Sequence, residues 1–131
     1  MYVLIFNETE SKDSNRLFRS IAGIGQHLDI KQCGTIVKLK HALRFIHKRP
    51  RAVVLMVDTK ECLREVSELS DLLDGIPAIL ILPEENRENI SLGCRIYPRF
   101  IGLRGDGFDH VASVLARLIE KQRRNMSLSA A

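Results

Sequence analysis

The acidic residue best placed to do chemistry in this sequence is Asp58, which follows an apolar run. Residues 52–57 read Ala-Val-Val-Leu-Met-Val, and Pro50 precedes them by two positions. A continuous, valine-rich run of this length is typical of a strand that is covered on both faces, as in the middle of a parallel sheet. Open α/β sheets keep their binding groups at the carboxyl ends of their strands, so Asp58 is either a reactive group or only an acid that ends a strand.

Two other predicted strand ends carry polar side chains. Asn7 and Glu8 follow the first apolar run of the chain, and Arg104 follows the last predicted strand. If the first and third strands are neighbours, Asn7, Glu8 and Asp58 meet at one edge and are candidate Mg²⁺ ligands, because Mg²⁺ prefers oxygen ligands. Arg104 is the candidate phosphate-facing cation. The sequence also allows Arg104 to pair with Glu8 or Asp58 and to hold the loops without a metal.

Five predicted strands alternate with helical patterns along the chain. The strands lie at residues 3–6, 30–33, 52–57, 77–83 and 99–104. Apolar residues at spacings of three and four predict helices between them, with Asp13 or Ser14 as the cap of the first, and segment 84–96 is a short helix or a loop. The alternation implies right-handed crossovers. We therefore predict an α/β, flavodoxin-like three-layer sandwich with a five-stranded parallel sheet of order 2-1-3-4-5.

Length and composition indicate one soluble domain. The 131 residues are 45% apolar and 27% charged, and the net charge of +4 is too small to indicate a partner. No apolar run approaches the roughly 20 residues of a membrane helix, and the start lacks a signal-peptide pattern, so we expect a cytoplasmic protein without membrane contact. Cys33, Cys62 and Cys94 form no CxxC pair and predict neither zinc nor disulfides. We expect a domain over 1–122 and a disordered tail or linker start over 123–131.

The order and length of these elements resemble the receiver (CheY-like) domains of bacterial two-component response regulators, over residues 2 to about 122. The resemblance implies two adjacent acids after strand one, a phospho-accepting Asp after strand three, a Ser or Thr after strand four and a Lys, usually before Pro, after strand five. Such receivers bind Mg²⁺ and take a phosphoryl group from a histidine kinase. They signal through the face that helix four, strand five and helix five build.

Most of these receiver motifs are replaced in this sequence. The positions after strands one, four and five carry Asn7-Glu8, Leu82-Pro83 and Leu103-Arg104-Gly105. Counted from Pro50, the usual phospho-acceptor falls nearer Met56 than Asp58, although a bulge or a longer strand would restore Asp58. The resemblance is therefore to an atypical receiver, or pseudo-receiver.

The predicted function is that of an atypical receiver-like signalling domain, not an enzyme, which acts through protein contact and has a degenerate phosphotransfer site. The resemblance implies a histidine kinase or a fused or adjacent output domain as partner, as in transcription activators, and a homodimer through helix four, strand five and helix five. We expect no cofactor, with Mg²⁺ left open, and no DNA contact by this domain. The alternatives are a working receiver in which Asp58 accepts the phosphoryl group with Mg²⁺, and a small-molecule-binding flavodoxin-like domain.

A basic second helix is the alternative site. The helix carries the cations Lys40, Arg44, His47 and Lys48, and Arg51 follows it. They could bind the phosphates of a nucleic acid. However, no aromatic residues interleave with them, and they ring the helix instead of forming one stripe. The pattern therefore favours a solvated helix face.

Overall fold

The computed structural model of the protein describes residues 2–8, 11–25, 28–45 and 49–130, with side chains up to residue 124. The described strands are β1 (Tyr2–Asn7), β2 (Asp29–Cys33), β3 (Ala52–Met56), β4 (Ala78–Leu82) and β5 (Phe100–Leu103). They form one sheet in the order β2-β1-β3-β4-β5, and every pairing is parallel. The predicted flavodoxin-like sheet is confirmed.

The helices on the two faces of the sheet are α1 (Lys12–Ala22), α2 (Ile36–Arg44), α3 (Lys60–Ser67), α4 (Arg87–Cys94) and α5 (Asp109–Ala130). A helical turn, Ser70–Leu73, follows α3, and a 3₁₀ turn, Arg104–Asp106, follows β5. Segment 84–96, which the sequence left open, contains α4. Among the described residues, no helix combines the length and the hydropathy needed to cross a bilayer.

The last helix extends further than the sequence predicted. α5 continues to Ala130, through most of the stretch 123–131 that was expected to be a disordered tail. No glycine or proline follows Gly107, so nothing in the sequence stops the helix where its apolar stripe ends. The role of this stretch as the start of a linker stays a prediction.

The two helical layers cover opposite faces of the buried strands. Successive side chains of a strand point to opposite faces, and β3 is buried throughout. Its Val53 and Leu55 pack in the cluster that contains α2 and α3, whereas Val54 and Met56 pack with α1 and α5. This arrangement explains why the β3 sequence is apolar without alternation.

Side-chain caps fix where the helices begin at the carboxyl edge of the sheet. The Ser11 hydroxyl accepts the Ser14 backbone N–H at 3.2 Å, and the Ser14 hydroxyl accepts the Ser11 N–H at 2.8 Å. This reciprocal capping box makes Ser11 the N-cap of α1, where the sequence predicted Asp13 or Ser14. As a result, the Asp13 carboxylate is free to point at the edge of the sheet.

Candidate functional site

The register of the two central strands decides which side chains lie beside each other at the carboxyl edge. Asn7 of β1 pairs with Met56 of β3, and Met56 is the last residue of its strand and 1% exposed. Asp58 lies two residues beyond, after the buried Val57, whose N–H donates to Ile81 O at 3.1 Å. The position beside Asn7 is thus a thioether, which cannot accept a phosphoryl group.

The Asp58 carboxylate is held by Arg104. The Arg104 Nη1 donates to Asp58 Oδ1, its Nε donates to Asp13 Oδ2 at 2.8 Å, and its Nη2 donates to the Ser11 hydroxyl at 3.1 Å. The Arg104 and Asp58 side chains are only 22% and 17% exposed, whereas Asp13 is 37% exposed. The guanidinium therefore joins three distant segments of the chain. We call Arg104, Asp58, Asp13 and Ser11 the arginine cluster.

Two features of the local backbone position the side chains of the arginine cluster, one at Arg104 and one at Asp13. The 3₁₀ turn that begins at Arg104 ends at Gly107, whose φ of 77° lies in the left-handed region that favours glycine. On the other side, Asp13 lies in the first turn of α1, where the helix dipole favours a negative charge. The sequence analysis named Asp58 and Arg104 but missed Ser11 and Asp13. Their signal was present, because the loop that follows β1 must reach the same edge of the sheet.

Glu8 lies close to the buried Cys62 of α3. Burial and the neighbouring Glu8 carboxylate raise the pKa of the Cys62 thiol to about 12, with further contributions from Glu65 and Asp58. Hydrogen bonding to the Glu8 carboxylate also contributes to this raised pKa, and Glu8 itself is exposed.

One of the predicted Mg²⁺ ligands, Asp58, is already engaged by a cation of the protein itself. In the part of the chain that the structure describes, no three His, Cys, Asp or Glu side chains are grouped so that they could hold a metal. Of the three predicted ligands, Asp58 is bound to a guanidinium, Glu8 is exposed beside Cys62, and Asn7 is buried. A guanidinium on a carboxylate oxygen takes the place that a cation would need.

The fold is that of receiver domains, the CheY-like form of the flavodoxin-like sheet. A response regulator receiver protein from Pseudoalteromonas atlantica matches with a TM-score of 0.72 and 7% identity, over 93% of this chain and 99% of that chain. A two-component response regulator from Legionella pneumophila matches with a TM-score of 0.66 and 14% identity, over 93% and 99%.

A third structure with the same fold, from Burkholderia pseudomallei, is named for pilus assembly. It matches with a TM-score of 0.65 and 13% identity, over 90% of each chain. No protein-family model and no curated protein matches the sequence. At these identities the likeness lies in the fold, so the site has to be interpreted from its own residues.

Proposed function

We propose that this chain is an atypical receiver-like signalling domain that acts through protein contact, with an internal ion pair in place of a working phosphotransfer site. The observation that carries this proposal is the binding of the Asp58 carboxylate by Arg104. Met56 beside Asn7 supports it, because the resemblance to receivers puts the acceptor near that position. The domain is not an enzyme on this view, and its output is a contact with another protein.

The chemistry of phosphoryl transfer explains why this ion pair matters. An acceptor carboxylate needs a free oxygen to attack phosphorus and a cation that neutralises the incoming phosphoryl oxygens. Here one Asp58 oxygen is engaged by a guanidinium that also binds Asp13. The acceptor would first have to lose a charge-assisted hydrogen bond in a site that is largely shielded from water.

A small phosphodonor tests this proposal directly. We expect acetyl phosphate with MgCl₂ to leave the intact mass of the protein unchanged, while a standard receiver treated in parallel gains a phosphoryl group. A phosphoryl adduct on Asp58 of the wild-type protein would refute the proposal and favour a working receiver. The variant Asp58→Asn is the matched control, because it removes the acceptor and keeps the shape of the side chain.

The contact face that we propose is the one built by α4, β5 and α5. All four residues of β5 are half-buried, and β5 is the edge strand of the described sheet, next to β4. A groove of about 390 Å³ runs along this edge, with Ile90, Phe100, Leu103 and His110 among its lining residues. An exposed edge with apolar side chains is a template for protein contact. We propose a homodimer here, with a histidine kinase or an output domain as the further partner.

Light scattering after size-exclusion chromatography tests this face. We expect a concentration-dependent dimer that Ile101→Lys and His110→Glu each weaken, since both residues line the groove. Gln32→Glu on the opposite edge strand, β2, is the control and should leave the dimer intact. A wild-type protein that stays monomeric at every concentration, or a dimer that both groove variants leave unchanged, would argue against this interface.

A further inference from the structure

The outward side of α2 carries a feature that neither the sheet edge nor the arginine cluster uses. Leu39 and Leu43 are buried against the sheet. On the other side of the helix lie Val37 and His41, four residues apart, and Phe45 follows at the C-cap. Residues spaced by four share one side of a helix, so these three side chains form a single stripe.

The apolar side chains of this stripe are unusually exposed to solvent. Val37 is 76% exposed and Phe45 is 52% exposed, and only Tyr97 joins them among the exposed large apolar side chains of the described residues. The rings of His41 and Phe45 are packed edge to face, with centroids 4.7 Å apart and planes at 77°. Edge-to-face packing is a favourable arrangement of two rings. The stripe thus presents a continuous surface of apolar and aromatic side chains to solvent.

Cations border the stripe on both sides. Lys38 lies on one side and Lys40 and Arg44 on the other, and all three are exposed. All ion pairs in the described ranges are formed by other cations, so none of these three is paired with a carboxylate there. The helix itself contains no acidic residue. We call these six residues the α2 surface; His47 and Lys48, which the sequence also suggested, lie outside the described residues.

An apolar centre with a charged border is the usual composition of a protein contact site. We propose that the α2 surface docks an acidic protein segment that carries an aromatic or aliphatic anchor residue. The anchor buries Val37 and Phe45, and the carboxylates of the segment neutralise Lys38, Lys40 and Arg44. A nucleic acid fits less well, since phosphates gain nothing from an exposed valine at the centre of the contact. The sequence analysis named the cations of this helix as an alternative site but overlooked Phe45, which follows Arg44 directly.

A peptide titration tests the proposal, with the ¹H–¹⁵N NMR spectrum of the full chain as the readout. The probe is a synthetic peptide of alternating Asp and Glu residues interrupted by Phe and Leu, and its matched control has Ser in place of Phe and Leu. We expect the probe to shift the α2 resonances and the Ser peptide to bind at least about tenfold more weakly, because the apolar contact is worth more than about 1.4 kcal/mol.

Two variants separate the apolar and electrostatic parts of this contact. The double variant Val37→Ser and Phe45→Ser should weaken binding about tenfold or more, which corresponds to about 1.4 kcal/mol. The salt dependence of binding should stay unchanged, because the cations are kept. Charge reversal by Lys38→Glu, Lys40→Glu and Arg44→Glu should abolish binding. The same reversal at the exposed Arg117, Lys121 and Arg123 of α5 is the control and should leave it intact. All of these side chains are exposed, so circular dichroism should show an unchanged fold.

Three results would overturn the proposal. They are equal binding of the Ser peptide, absence of shifts in α2, and tighter binding at α2 of duplex DNA or phosphatidylserine vesicles than of the probe at the same salt concentration. Equal binding of the Ser peptide would mean that the surface attracts negative charge without specificity. Tighter binding of DNA or vesicles would assign the surface to a different class of partner. None of these results depends on the state of Asp58.

Discussion

Removal of the Arg104 guanidinium should measurably destabilise the protein. The substitution Arg104→Met keeps an apolar stem of similar length and deletes the guanidinium hydrogen bonds to Asp58, Asp13 and Ser11. A hydrogen bond to a charged group contributes about 1.5–3 kcal/mol when buried, and the partial exposure of Asp13 lets water replace part of this. We expect the free energy of unfolding to fall by about 2–3 kcal/mol, which for a domain of this size lowers Tm by about 7–10 °C.

A double-mutant cycle separates the ion pair from other effects of the substitution. Asp58→Asn removes the negative charge, so it should cost much less in the Arg104→Met background than in the wild-type protein. We expect a coupling energy of about 1–2 kcal/mol from urea unfolding. The exposed pair Arg64 and Glu88, at 3.8 Å, is the control cycle with Arg64→Met and Glu88→Gln. Its coupling should be clearly smaller, because water screens an exposed pair.

The reasoning fails if the coupling between Arg104 and Asp58 is no larger than that of the control pair. Such a result would mean that the guanidinium is solvated and that the Asp58 carboxylate is accessible. The reactivity of Asp58 towards a phosphodonor would then have to be reconsidered, because the argument for a degenerate site depends on the same contact.

The remaining predictions concern the thiol and the sheet packing. Burial and the Glu8 carboxylate raise the pKa of Cys62 in the folded protein from its ordinary value of 9.0 to about 12. The neutral thiol therefore contributes stability that is present below pH 9 and lost between about pH 9 and 12. In this pH window the thiol should make the free energy of unfolding fall by up to about 1.4 kcal/mol per pH unit, and Cys62→Ala should remove that part of the fall. An unchanged slope in the variant would contradict the raised pKa of Cys62. Gly93→Ala should lower stability by about 1–3 kcal/mol in urea unfolding, because its Cβ would lie 2.5 Å from Cδ2 of the fully buried Leu80. Gly23→Ala, whose Cβ meets nothing closer than 3.7 Å, is the control and should be neutral or stabilising, and equal effects of the two would rule out the clash.

The fold could be predicted because its signals are local and repeated. The uninterrupted apolar run of β3 indicates burial on both faces, and the short connections allow few topologies once crossovers are right-handed. The break between Ser67 and Ser70 was not predicted, because the apolar stripe continues through Leu69 and Leu73 with a helical spacing. Periodicity reports which side of a segment is buried, and it does not report whether the backbone stays helical throughout.

The candidate site could be predicted only in part. Asp58 and Arg104 were identified because each follows a predicted strand, and parallel strands end at the same edge of the sheet. The register that sets Met56 beside Asn7 depends on the pairing of residues about fifty positions apart, which spacing alone leaves uncertain by two residues. The proximity of Glu8 to the buried Cys62 of α3 is a relation between distant segments that no local pattern encodes. Mg²⁺ binding, cytoplasmic location and a small-molecule ligand stay predictions.

The arginine cluster has a consequence for how the protein would behave as cellular conditions change. An arginine guanidinium keeps its charge across the whole physiological pH range, and it cannot diffuse away or be removed by a chelator. A domain whose acidic edge is neutralised by its own side chain has a geometry that does not depend on the supply of divalent ions. Its contact surfaces would then be presented continuously, and control would have to come from how much of the protein is made or from competition among its partners.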